Sequence, residues 1–276
     1  MNDRKGSVYK LILVKIMKWE HLKYEEKDNV AIITINNSDT MNSMNMSFLY
    51  DMQEVIDICE NNKEIRCSIL TGVGNKAFTA GGDVKAERDF TADEVKEYNC
   101  QGGIIVRKIM NSRMPYIVAV NGYALGAAIG LITACDISIA ADTALFGIPT
   151  PSLGGVPGWG CTQIVARMIG AQNAKMLLLA NEKYSAEEAF RVGLINKIVM
   201  QEELMEEAMK YAQRIANFAP NAMQSTKYAV NVGLECSLEE GFVIEATMLD
   251  NCNTDYNFKE GISAFLEKRS ANFKML

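Results

Sequence analysis

Apolar positions along the chain follow two spacings, and the balance between them changes near residue 160. In VAIITIN (30–36) the β-branched residues run almost unbroken and stop at the polar cluster NNSD, which predicts a strand closed by a turn. SFLYDMQEVIDICEN (47–61) instead puts Phe48, Met52, Val55, Ile56 and Cys59 on one face of a helix. SIL (68–70) begins a second buried strand ending at Gly72, YIVAV (116–120) after Pro115 is a third, and ISIAA (137–141) with a short ALFG segment follows. Between them a helix opens at Thr91, with Glu94 three residues on to complete a capping box, and another opens near Gly126. Strand and helix alternate, which predicts an α/β fold rather than segregated classes. Beyond residue 160 helical spacing dominates, with capping boxes at Ser185/Glu188 and Ser237/Glu240, and only INKIV (195–199) reads as strand. The pattern divides the chain into an extension (1–16), an α/β core (17–205) and a C-terminal helical region (206–276) that packs on its own subunit or on a neighbour's.

Composition narrows the partners. The 276 residues are 49% apolar and 22% charged, enough for one large core. A net charge of −6 and a pI near 5.1 leave no basic face to neutralise the phosphates of nucleic acid or an anionic membrane. Seven cysteines, with no C-x-x-C pair and one histidine in the whole chain, predict free thiols in a reducing cytoplasm and no metal site. LILVKIM (11–17) is short, broken by Lys15 and lacks a cleavage signature, so it does not read as a secretion signal. VAVNGYALGAAIGLITA (118–134) approaches a membrane-spanning length, but Asn121 and three glycines make it a strand, a turn and a buried helix. The expected location is the cytoplasm.

The chemistry sits in two glycine-rich turns, FTAGGDVK (78–85) and NGYALGAAIG (121–130). Each follows a buried strand and precedes a helix, so a ligand oxygen can approach the backbone N–H groups without meeting a side chain. Two such donors from separate turns make an oxyanion hole. The second turn carries no reactive side chain before Asp136. His21 lies near no glycine turn, which excludes a Ser-His-Asp triad, and no G-x-x-x-x-G-K-[ST] or full G-x-G-x-x-G supports a nucleotide site.

Taken together these motifs resemble the crotonase superfamily, the enoyl-CoA hydratase/isomerase family. AGGDV (80–84), NGYALGAAIGLITACD (121–136), FGIPTPSLGGVPGWG (146–160), AFRVGLI (189–195) and EGISAFLEKRSANFK (260–274) match its segments in order over roughly residues 19–274. The resemblance implies a spiral of ββα repeats with a C-terminal helical region that builds homotrimers, or dimers of trimers. It implies an acyl-CoA thioester as substrate, with coenzyme A arriving as part of it and no tightly bound cofactor. By position, the oxyanion donors are the N–H groups of Gly82 and Ala127. Coenzyme A runs past Met41, Asn42, Ser43, Ala80, Gly82, Asp83 and Val84, and Lys274 matches a lysine that approaches its phosphates.

The chain departs from that pattern where hydratases carry two glutamates: the matching positions are Gly130 and Thr150. A positioned acid or base contributes about 10² to 10⁴ in rate and one oxyanion donor about 10² to 10³. Enolate chemistry that needs no protein base is therefore favoured: decarboxylation, C–C cleavage, or a substrate-assisted step in which a bound bicarbonate occupies the space of a missing carboxylate. Two other readings stand beside it. One is a hydratase or isomerase whose acid/base group has moved to Glu87 or Asp89, against their being a solvated helical face. The other is a non-catalytic CoA-binding subunit. Trp159 either packs against a substrate ring or fills core, Tyr123 reads as core or turn packing, Asp83 as holding its own turn, and His21 as a surface residue.

Overall fold

Each uninterrupted β-branched run becomes a strand buried in a sheet, and three of these strands are followed at once by a short strand in a second sheet. The computed structural model describes residues 19–275, and the extension expected at 1–16 lies outside them. The strands are β1 (Leu22–Lys27), β2 (Val30–Ile35), β3 (Cys67–Gly72), β4 (Ala77–Thr79), β5 (Tyr116–Val120), β6 (Tyr123–Leu125), β7 (Ile137–Ala141), β8 (Leu145–Gly147), β9 (Tyr184–Ser185) and β10 (Lys197–Val199). The helices are α1 (Met46–Asn61), α2 (Val84–Glu87), α3 (Ala92–Met110), α4 (Ala127–Ala134), α5 (Ile164–Ile169), α6 (Ala171–Leu179), α7 (Ala186–Val192), α8 (Leu204–Ala216), α9 (Pro220–Gly233), α10 (Leu238–Asn253) and α11 (Tyr256–Glu267).

The large sheet has the order β1-β2-β3-β5-β7-β10, and the small one β4-β6-β8-β9. From β2 onward the large sheet is parallel, with Val118 of β5 between Leu70 of β3 and Ser138 of β7. The chain alternates sheets: β3 to β4 to α3, then β5 to β6 to α4, then β7 to β8. This is the expected ββα spiral. A parallel sheet needs cover on both faces. One face packs under α1, α3 and α4 with Phe48, Met52, Ile105, Ile109 and Ile129 in the main core. The other is covered by α8, whose inward residues Leu204, Ala208, Ala212 and Ala216 recur every four positions against Cys67, Ile69, Ile117 and Ile139. The boundary expected at 205/206 thus falls inside a helix that covers the sheet.

Strands β2, β3, β5 and β7 and the capping boxes at Thr91, Ser185 and Ser237 lie where the sequence places them. Strands β1, β4, β6 and β9 were not foreseen. The last three have only two or three residues, and β1 (LKYEEK) is an exposed edge strand with little apolar signal. Two single-residue expectations fail: Tyr123 is exposed, whereas His21 is buried and bonded to Asn45, the N-cap of α1, at 2.9 Å.

Helix α9 is anchored by one buried charge. Lys227 Nζ donates to the Ile109 carbonyl (2.8 Å), the Met114 carbonyl (3.2 Å) and Asp136 Oδ2 (2.8 Å), and Asp136 also accepts from the Tyr116 amide at 2.7 Å. The pair is well shielded, so removing one partner strands the other charge. We expect Lys227→Ala to lower unfolding free energy by about 3–5 kcal/mol in urea titration; a loss of under about 1 kcal/mol would show that α9 is held by its apolar contacts alone.

Candidate active site

Two turns are brought face to face by the spiral. The first leaves β4 at Thr79, whose hydroxyl accepts from the Gly81 amide at 3.1 Å. It is zipped to the loop after β2: Ala80 N donates to Met41 O (3.0 Å), Met44 N to Gly81 O (2.9 Å) and Asp83 N to Met44 O (3.1 Å). The second turn links β6 to α4. Ahead of it, between β5 and β6, Asn121 accepts from Gly72 N at 3.1 Å and donates to the Gly74 carbonyl at 2.6 Å, tying the ends of β3 and β5 together. Gly126 then donates to Gly147 O at 2.8 Å.

The glycines at the crossing are required sterically. Gly81 (φ +94°) and Gly126 (φ +58°) both adopt backbone that L side chains disfavour. A Cβ on Gly81 would lie 2.6 Å from the Leu125 carbonyl oxygen and 3.4 Å from the Ala127 nitrogen, and one on Gly126 would lie 4.0 Å from Gly81 Cα. Next to this contact are the amides of Gly82 and of Ala127, the first residue of α4. Neither donates a hydrogen bond among the described residues, and both are half-buried. Ala127 N–H lies at a helix N-terminus, where the backbone dipoles favour negative charge.

The remaining sequence-selected residues divide by what their side chains are doing. Met41 and Asn42 are in left-handed conformation (φ 56° and 59°). Asn42 is spent on the loop itself, accepting from Asn37 N (2.9 Å) and donating to the carbonyls of Ala77 (2.8 Å) and Val73 (3.3 Å). The Ser43 hydroxyl is buried without a partner among the described residues. Asp83 caps α2 through the amides of Lys85 and Ala86, holding its own turn. Ala80 is half-buried and Val84 exposed. Lys274 sits on α11, its backbone paired with Asn257 and its ammonium 4.2 Å from the Tyr256 ring centre. The Thr150 hydroxyl lies 3.9 Å from where a Gly126 Cβ would be, so it overlooks the second turn.

The space expected at Gly130 is filled. A Cβ there would meet the Trp159 carbonyl oxygen at 2.3 Å and Trp159 Cβ at 3.1 Å, so residue 159 occupies the position. Cys161 has no basic partner among the described residues; its thiol is pushed up to about 12 by burial and points at the Gly126 carbonyl.

Glu87 is where the site departs most from a solvated-helix reading. The four-residue helix α2, capped by Asp83, carries it back over the first turn, with its amide donating to Asp83 O at 2.8 Å. Its Oε1 lies 1.9 Å from the point where a Gly82 Cβ would stand, and the Tyr98 hydroxyl is 2.8 Å from the same point. Glu87 thus uses the volume left by the missing side chain of Gly82. Burial pushes its carboxyl above the ordinary carboxylate range, the charge of Asp83 adds to this, and the Tyr98 hydroxyl works the other way. That hydroxyl has a single proton, donated to the Met44 carbonyl at 2.7 Å, so burial decides the direction. Asp89, by contrast, is exposed and paired with Arg88. The sequence signal for Glu87 was its place four residues after a capping Asp; nothing local marked Tyr98 or Gly102, which join the site from α3.

Comparison with known proteins agrees with this architecture. The family described as Enoyl-CoA hydratase/isomerase matches residues 25–275. The chain is 37% identical over 257 residues to a crotonyl-CoA hydratase of Syntrophomonas wolfei, covering 93% of this chain and 99% of that one. It is 36% identical to a short-chain-enoyl-CoA hydratase of Clostridium acetobutylicum, over 92% and 97% of the two chains. The crystal structure of an enoyl-CoA hydratase from Bacillus anthracis superposes with a TM-score of 0.91 at 31% identity, covering 93% of this chain and all of that one. The chain belongs to the enoyl-CoA hydratase/isomerase family.

Two substitutions test the packing of the site. Gly82→Ala keeps the backbone N–H but evicts the flexible Glu87 carboxylate and also presses on the buried Tyr98 hydroxyl, so unfolding free energy should fall by about 1–3 kcal/mol. A crystal structure of the variant with Glu87 unmoved would refute the packing described. Gly130→Glu meets backbone rather than a flexible group, so it should lower the melting temperature; an unchanged melting temperature would contradict the Trp159 contact.

Proposed function

We propose that this chain is an acyl-CoA enzyme that holds its substrate's thioester carbonyl between the N–H groups of Gly82 and Ala127 and transfers a proton at the adjacent carbon with Glu87. The reading is supported by two amides, of Gly82 and Ala127, that donate to nothing among the described residues on turns that meet at Gly81, and by the part-buried Glu87 carboxyl lying over Gly82. As negative charge develops on the thioester oxygen, two fixed dipoles meet it without reorganising. The base can then return the proton to the same carbon or to a carbon further along the enolate, which suits double-bond isomerisation of an enoyl thioester with a single carboxyl. Hydration, the activity named for the relatives, requires in addition a group to orient water; the Thr150 hydroxyl is the nearest uncommitted one at the second turn.

Decarboxylation, C–C cleavage or substrate-assisted lyase chemistry is the second reading, supported by the absence of a carboxylate at both Gly130 and Thr150. Against it, an ionised Glu87 would repel a substrate carboxylate at the same carbon. Coenzyme A lies along the zipped loop past Met41, Asn42, Ser43, Ala80, Asp83 and Val84, with backbone groups rather than the Asn42 side chain in contact. Lys274 supplies a local cation for its phosphates. Helix α10 has no buried residue, and Phe242, Val243, Leu249, Phe265 and Leu266 on α10 and α11 are exposed. A second copy of the chain covers these faces, as a homotrimer or dimer of trimers.

Assays on 2-enoyl, 3-enoyl and malonyl-type CoA thioesters separate the readings. Turnover of an enoyl thioester should fall by about 10² to 10⁴ in Glu87→Gln. A base works only when deprotonated, so activity falls as pH drops through the Glu87 pKa. Since burial raises that pKa, the acidic limb of kcat/KM should stand above the ordinary value of about 4.3 and vanish in Glu87→Gln. Malonyl-type turnover unaffected by the substitution would favour decarboxylation, and no turnover of any thioester would leave a binding subunit. Light scattering should return a trimer or hexamer of the 30.5 kDa chain, and a monomer would rule out the proposed cover of α10 and α11.

A further inference from the structure

Helices α3 and α4, which pack on each other, have each given up a side chain to one residue. On α3, a Cβ at Gly102 would fall 1.9 Å from Trp159 Cε2 and 2.2 Å from Nε1, inside the indole. On α4, Gly130 lies under the Trp159 carbonyl and Cβ. Trp159 holds a left-handed φ of 53°, uncommon for a bulky residue, between Gly158 and Gly160. Its ring is 6% exposed, stands 5.5 Å from the Tyr98 ring, and Tyr98 in turn stands 5.7 Å from Phe90. A left-handed turn and two cleared helix positions therefore hold this ring in place.

We propose that Trp159 is the specificity-determining residue for acyl length: its indole, backed by Tyr98, closes the acyl path and restricts this chain to short-chain acyl thioesters. The inference rests on the proposed placing of the thioester between Gly82 and Ala127. With the reacting carbon at Glu87, Tyr98 is the neighbouring side chain at Gly82 and the Trp159 ring stands behind it, so an acyl chain directed toward α3 meets that ring. A longer chain would have to displace a ring already lodged in two glycine slots. The substrate class is an acyl group about the size of butyryl.

Saturated thioesters test this without depending on turnover. Calorimetry should give Kd values for butyryl-CoA and octanoyl-CoA with the full chain and with Trp159→Ala and Trp159→Phe. A buried methylene is worth about fourfold in Kd. In the wild type, octanoyl-CoA should bind no tighter than butyryl-CoA. In Trp159→Ala the ratio should move at least about tenfold toward octanoyl-CoA, less than two methylenes' worth of the four added. Trp159→Phe should move it the same way by less, and it provides the measurement if the alanine variant does not fold. An octanoyl/butyryl ratio unchanged in a folded variant overturns the role of Trp159 while leaving the Glu87 reading intact. Failure of wild-type chain to bind either thioester overturns the acyl-CoA reading on which both stand.

Discussion

The close approach of two backbone turns, Gly81 against Leu125–Ala127, is the constraint on which the site depends. At that crossing any side chain on residue 81 would press into a carbonyl, so the two chain segments can approach this closely only because glycine stands there. Everything around it serves to hold the crossing. Asn42 and Asn121 spend their amides on neighbouring carbonyls, the loop after β2 is zipped to the first turn, and the parallel register of β3, β5 and β7 sets the turns side by side. The amides left over are those of Gly82 and Ala127.

Around the crossing, small residues make room for large ones from elsewhere in the chain. Gly82 admits the Glu87 carboxylate, Gly102 the Trp159 ring and Gly130 the Trp159 backbone. The same exchange explains why Gly130 does not border an empty niche. Interiors are packed close to crystal density, so a deleted side chain seldom leaves a hole when a neighbour can move in. Here the neighbour is a tryptophan in left-handed backbone.

The C-terminal third follows a different logic. Helix α8 completes the sheet with alanines every four residues, whereas α10 turns apolar side chains outward, and one buried lysine ties α9 to the carboxylate that ends the second motif. An aspartate that looked like the end of a ligand motif is, in the folded chain, the anchor for a helix some ninety residues on.

Elements with strong local signals were legible from residues alone. The runs VAIITI, YIVAV and ISIAA became β2, β5 and β7, and the Thr91, Ser185 and Ser237 boxes opened helices, because β-branched runs and reciprocal caps act within a few residues. The two glycine turns were legible for the same reason. Three-residue strands such as β4 and β6 carry too few side chains to signal themselves, and they form only because a neighbouring strand is already in place. Tertiary structure alone decided that Glu87 folds back over Gly82, that Tyr98 and Gly102 of α3 reach the site, and that Trp159 fills the face of Gly130. Those contacts join residues up to tens of positions apart, and steric exclusion between distant segments leaves no periodic trace in the chain.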